Sequence, residues 1–158
     1  MSDDYVERAW NMMEKIQTCM LITWDGERQR ARPMSATVKQ EEHAIYFLTD
    51  ARREKDDQIA RFPIVTLAFA DTGGQKYVSL TGRATVSADK QKIKDLWSPF
   101  AKAWWDSVED PNIRVLKVTP DDAEIWDSPG TLIATVKMLT AAATGTRPDV
   151  GENRKVAM

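Results

Sequence analysis

Residues 18–38 read TCMLITWDGERQRARPMSATV, and their reading decides the fold. The first seven, TCMLITW, are β-branched or apolar almost throughout, which suits a buried strand better than a helix with one wet face. Asp25-Gly26 then supplies a hairpin turn. Residues 28–38 return as the partner strand, with polar and apolar positions alternating over part of their length. Pro33 has no N–H to give a neighbouring strand, so it belongs at a sheet edge, at a bulge or in a gap facing a ligand. The chain therefore begins its sheet with an antiparallel pair.

Working outward, the same grammar repeats. HAIYFLT (43–49) is a third strand after the polar KQEE turn, IVTLAFA (64–70) a fourth, and DTGGQ a further turn. KYVSLTGRATVSA (76–88) is a long fifth strand whose Gly82 marks a bend or a close backbone approach. IRVLKVT (113–119) and DAEIWD (122–127) form a last strand region, interrupted at Pro120. Helical spacing appears in Val6, Ala9, Trp10, Met13 and Ile16 behind a cap at Asp4, in 89–97 behind Asp89, and in 131–144 through Leu132, Val136 and Leu139. A short helix also follows residue 49 and stops near Phe62-Pro63. About six strands joined mostly by short turns, with three or four peripheral helices, predict a mainly β (α+β) antiparallel barrel. One domain over 1–144 is expected, followed by a polar tail over 145–158.

The 22 Lys and Arg residues against 24 Asp and Glu give a net charge of −2, so the whole molecule has no electrostatic attraction to nucleic acid or an anionic membrane. Cys19 has no second cysteine to pair with, and no Cys/His spacing predicts zinc. The acidic start MSDDYVERAW is unlike a secretory signal, and no apolar run reaches the roughly 20 residues that span a bilayer. A soluble, cytoplasmic protein without a metal is expected. Trp10 and Trp24 are predicted in the core by spacing. Trp97, Trp104 and Trp105 flank the irregular stretch SPFAKAWWDSVEDPN, where they would cover a flat ring or pack against another subunit.

Two cationic clusters stand out. TDARREKDDQI (49–59) places Arg52, Arg53 and Lys55 where a helix is predicted to begin, with Asp50 as its cap. Backbone N–H groups and side-chain cations there would converge on an anion, with Thr49 adding a hydroxyl. Arg28, Arg30 and Arg32 alternate along the second strand and so share one of its faces. Taken alone, each cluster is explained by exposure to water, with Glu54, Asp56 and Asp57 neutralising the first. Two such clusters, each beside an irregularity, point together to a shared anionic ligand. His43 is the chain's one histidine, and no nucleophile elbow, Walker loop or dinucleotide fingerprint occurs.

The ordered segments RARPM, IYFLTDARREK, PIVTLAFAD, YVSLTGRATV, LWSPFAKAWW and LKVTPDDAEIWDSP resemble the general stress protein 26 family. That family belongs to the flavin-binding split-barrel superfamily related to pyridoxamine 5′-phosphate oxidase. The resemblance implies a six-stranded split β-barrel, working as a homodimer with FMN at the subunit interface. It implies that Arg30 and Arg32 hold the phosphate from the second strand while Pro33, Met34 and Ser35 pass along the ring. It places Phe47 and Leu48 beside the ring by backbone contacts. Thr49, Arg53 and Lys55 would form the phosphate turn, with Arg53 at a position where the family has serine. A redox role in stress response is implied, with FAD or a deazaflavin (in a deazaflavin-dependent reductase) as other cofactors and a non-enzymatic flavin-binding or flavin-free dimeric interaction protein as the alternative of another class. Pyridoxamine 5′-phosphate oxidation itself is disfavoured, because the C-terminal PDVGENRKVAM lacks that enzyme's arginine and histidine motif.

Overall fold

The computed structural model describes residues 2–53, 55–128, 131–147 and 151–158. The strands are β1 (Thr18–Trp24), β2 (Gln29–Ser35), β3 (Thr37–Lys39), β4 (Ala44–Asp50), β5 (Ile64–Asp71), β6 (Lys76–Ser87), β7 (Ile113–Asp127) and β8 (Glu152–Ala157). The helices are α1 (Ser2–Ile16), α2 (Lys55–Arg61), α3 (Lys90–Leu96) and α4 (Thr131–Thr144), with a 3-10 segment at Pro99–Ala103. All pairings are antiparallel, in the order β2-β1-β5-β6-β7-β4-β3, with β8 added on β7. β2 and β3 stand at opposite ends of that order, yet only Ala36 separates them along the chain. The sheet must curl until its two ends meet, which makes a split barrel.

Three expectations need correction. The six expected strands are eight, because 28–38 divides at Ala36 and because residues 152–157, expected in a polar tail, pair with β7. The β8 sequence hides its role, since Val156 is its one large apolar residue packing against the core. Pro120 does not interrupt β7. It sits at a register shift opposite Gly82, between the stretch of β7 that pairs with β4 and the stretch that pairs with β8. Its missing N–H therefore falls where no ladder partner asks for one.

Inward residues of β1, β5, β6 and β7, such as Leu21, Leu67, Leu80 and Ile125, form the barrel core, which α1 covers with Ala9, Trp10 and Met13. A second cluster joins Ala44 and Tyr46 of β4 to Ile93, Ala101, Trp105 and Ile113 on the barrel's outside. β4 is thus covered on both faces, which is why its sequence is a continuous apolar run rather than an alternating one. Trp10 is buried as expected, whereas Trp24 lies 39% exposed on the outer face of β1. Asp89 caps α3, its carboxylate accepting from the N–H groups of Gln91 (3.0 Å) and Lys92 (3.2 Å). Among the described residues no helix is long and apolar enough to cross a membrane, and no cluster of His, Cys, Asp and Glu is arranged to hold a metal.

Candidate functional site

An open cleft of about 590 Å³ lies where the barrel splits. One wall is β2 and β3 with Arg32, Pro33, Met34, Ser35 and Thr37. The end of β4 and the turn after it supply Leu48, Thr49, Asp50, Arg52 and Arg53. The third side comes from the segment following α3, with Leu96, Ser98, Phe100, Ala101, Trp104 and Trp105. Strand alternation explains the mixture on β2. Pro33 lies opposite Met20 on the barrel's outer face, whereas Arg32 and Met34 lie opposite the core residues Leu21 and Cys19.

Arg32 is the unusual member. Its Nη2 donates to Thr23 Oγ1 at 2.9 Å, and Thr23, itself buried, donates to Gln58 Oε1 of α2 at 3.2 Å. Its other terminal nitrogen, Nη1, is buried without a hydrogen-bond acceptor among the described residues. Burial disfavours the charged guanidinium and lowers its pKa from the ordinary arginine value. An anion entering the cleft would relieve both conditions.

The predicted helix opening is different from what the chain adopts. Asp50 does not cap a helix. It is the last residue of β4, paired with Ile113, and the ladder runs one step further through Ala51 N–H to Asn112 O at 2.8 Å. Residues 51–53 form a turn, and α2 starts only at Lys55. The cause is local: the Asp50 carboxylate accepts from the Arg52 N–H (2.9 Å) and Nε (2.8 Å), a side-chain turn that competes with helix formation. Arg52 Nη2 completes the pair, and Trp105 Nε1 donates to the same carboxylate at 3.1 Å. The Arg52 guanidinium holds Asp50 well below the usual carboxylate range, with the Trp105 donor assisting. Arg52 is thereby neutralised. Arg53 is exposed and makes no ion pair among the described residues.

Of the ten residues selected from sequence, Arg32, Pro33, Met34, Ser35, Leu48, Thr49 and Arg53 line this cleft. Arg30 does not. It leans back to Asp25, with Nε 2.9 Å from Oδ2, at the hairpin turn. Arg28, expected beside it on the strand, belongs to that turn. The Phe47 side chain faces the barrel interior and is only 2% exposed. Lys55 opens α2, and its side chain lies outside the described residues. The sequence reading did not select Thr37, Leu96, Ser98, Phe100 or Ala101, and it placed Asp50 and Arg52 at a helix opening, as a cap and one of its cations. Aromatic density in SPFAKAWW was the available signal for the third side, and Phe100 and Trp104 are indeed 85% and 69% exposed at its rim.

Residues 4–149 match the family described as pyridoxamine 5′-phosphate oxidase like. The chain belongs to that family. General stress protein 26 of Bacillus subtilis (strain 168) is 25% identical over 87 residues, which cover 53% of this chain and 62% of that relative. The chain thus spans less than two thirds of that curated relative. Over its full length it superposes on a protein assigned to general stress protein 26 from Jannaschia sp. CCS1, with a TM-score of 0.82, 27% identity and all of both chains covered. It is also similar to a general stress FMN/FAD binding protein of Xanthomonas citri, at a TM-score of 0.70 and 27% identity over 79% of this chain and 89% of that one. The pyridoxamine 5′-phosphate oxidase-like split barrel is therefore the frame in which the cleft has to be understood.

Proposed function

We propose that the cleft binds a flavin, FMN, at each of two equivalent sites of a homodimer, and that the protein serves redox chemistry in a general stress response. The observation that carries this reading is the buried Nη1 of Arg32 on the cleft wall, which has no acceptor among the described residues. A buried charged donor left unpaired is costly, and a phosphate oxygen is a strong acceptor for it. Arg53 adds a second cation to the cleft lining, of which Thr49 is also a member. Pro33, Met34, Leu48 and the rim aromatics Phe100 and Trp104 supply the apolar walls that a flat ring needs. The FMN/FAD binding described for the Xanthomonas citri relative points the same way.

When bound, the flavin supplies the electron chemistry, and this chain's residues hold it and restrict water. Asp50 is committed to Arg52 and Trp105 as an ionised acceptor, so it steadies the cleft floor rather than moving protons.

The homodimer is supported by the barrel's outer face. Alternation and register place Ala31 and Pro33 of β2, Met20 and Ile22 of β1, Thr66 and Ala68 of β5, and Ser79 and Thr81 of β6 side by side. None of them is charged. A sheet face of this width without charge is what a subunit contact requires. Pro33 belongs both to this face and to the cleft lining, so a second copy seated there would border the ligand.

Titration of the protein with FMN and with riboflavin, followed by quenching of flavin fluorescence, tests the reading. FMN should bind roughly 10–100 times more tightly than riboflavin, the worth of one charge-assisted hydrogen bond of about 1.5–3 kcal/mol. Arg32→Gln should remove most of that preference. Equal affinities for the two flavins, or an unchanged preference in the variant, would overturn it.

A further inference from the structure

We infer that α4 is an arm that lies on the uncharged outer sheet face of a second copy of this chain, an inference that rests on the homodimer reading above. The helix spans Thr131–Thr144 and carries one ionisable residue, Lys137. Of its described side chains only Ala141 is buried, while Val136, Met138 and Leu139 are 55%, 50% and 66% exposed. A helix that is apolar on all sides is normally covered on all sides, and one of this length is marginal in water without cover. Two of its threonines also withdraw their polarity. Thr140 Oγ1 donates to Val136 O and Thr144 Oγ1 to Thr140 O, both at 2.9 Å, so these hydroxyls spend their donors on the helix's own carbonyls.

The way α4 is attached fits the exposure of these side chains. β7 ends at Asp127 and β8 begins at Glu152, and these two residues pair with each other. The intervening chain leaves and returns at one rung. That rung is braced: Ser128 Oγ donates to Gln75 O at 2.8 Å, Lys76 pairs with Asp127, and Arg8 reaches Glu152 at 2.9 Å and Asp127 at 3.6 Å. The helix is therefore held at its base, and Val136, Met138 and Leu139 are left exposed beyond it.

The character of the missing cover follows from α4 itself. At about 21 Å the helix is too short for a hydrocarbon core of about 30 Å. With one lysine it also lacks the basic face of a helix that rests on a membrane surface. Its partner must be a protein surface without charge, because a charge covered by α4 would lose water and gain no counter-ion. This chain carries such a surface, the face holding Met20, Ile22, Ala31, Pro33, Thr66 and Ala68. An exposed apolar arm with a single lysine and an uncharged sheet face in one molecule satisfy each other when two copies exchange arms about a two-fold axis.

Sedimentation equilibrium of the full chain without added flavin, over about 1–100 μM, tests this. The wild type should be a dimer. The double substitution V136E/L139E, at exposed positions that the fold does not depend on, should weaken dimerisation at least about 100-fold. Met20→Glu on the sheet face should do the same. A mixture of the two variants should regain dimers, because the heterodimer keeps one intact arm on one intact sheet. A monomeric wild type would overturn both the arm and the homodimer. A wild-type dimer with V136E/L139E equally tight, or a mixture that stays monomeric, would overturn the arm and leave the homodimer standing. Wild-type protein that stays monomeric yet co-sediments with phosphatidylcholine vesicles would assign α4 to lipid instead.

Discussion

Gly82→Ala sets two known effects against each other at one position. Replacing glycine removes backbone freedom from the unfolded chain, which by itself stabilises by roughly 0.4–1 kcal/mol where the native conformation tolerates a side chain. At Gly82, however, an added Cβ would stand 2.5 Å from the carbonyl oxygen of Thr119 and 3.0 Å from Val118 Cγ1. Thr119 is backbone of β7, pinned by β6 on one side and lying at the register shift beside Pro120, so it cannot swing away as a flexible side chain would. Overpacking of this kind costs roughly 1–3 kcal/mol, and it outweighs the entropic gain. The net loss should be about 1–2 kcal/mol. At roughly 2–4 °C per kcal/mol for a chain of this size, Tm should fall by about 2–8 °C in thermal unfolding followed by circular dichroism. Gly73→Ala is the control, since its Cβ would meet only Asp71 Oδ1 at an ordinary 3.6 Å, and its Tm should hold within about 1 °C. A Gly82→Ala protein as stable as the wild type would refute the reasoning, and would mean that the two long strands separate at the bulge far more cheaply than their pairing implies.

Removing the α3 cap with Asp89→Ala should cost about 1 kcal/mol, since two N–H groups lose their acceptor, and urea unfolding would read this as a lower midpoint at unchanged slope. The hairpin carboxylate of Asp25 is pulled down to about 2, first by the N–H groups of Arg28 and Glu27 and then by Arg30. Because its folded pKa is depressed below the ordinary value of about 3.9, the stabilisation is complete above that pH and is lost as pH falls towards 2. Amide exchange of Glu27 and Arg28 in a pH series should therefore show protection that fades only between about pH 4 and 2, and protection already lost at pH 5 would contradict the assignment.

Much of the fold could be read from residues because its elements obey local rules. Asp25-Gly26 turns the first hairpin, IVTLAFA and the strand after DTGGQ alternate or run apolar as their burial demands, and Asp89 caps where a cap was expected. What escaped was settled by tertiary partners. β8 is a strand because β7 offers an edge beyond Pro120, not because ENRKVA has strand character. Trp24 points outward because Thr23, its polar neighbour, is the residue that Arg32 and Gln58 engage. The site divided along the same line. Arg32 and Arg53 were legible as cations near irregular backbone, whereas Arg30 was lost to Asp25 and Arg52 to Asp50, pairings across two to five residues that a count of charges does not reveal. Leu96, Ser98 and Phe100 come from more than forty positions downstream of β4, and the packing of Ile93, Ala101 and Trp105 on its outer face brings them near it.

The lone residue Ala36 between β2 and β3 ties the two extremes of the sheet together. No local fragment can form that seam. β1, β5, β6, β7 and β4 must all be in register before the ends are close enough to join, which makes closure a late event in folding. The groove at the seam therefore comes into being with the finished molecule, and whatever binds there would act as a rivet through the last joint to close, tightening the complete barrel and nothing simpler.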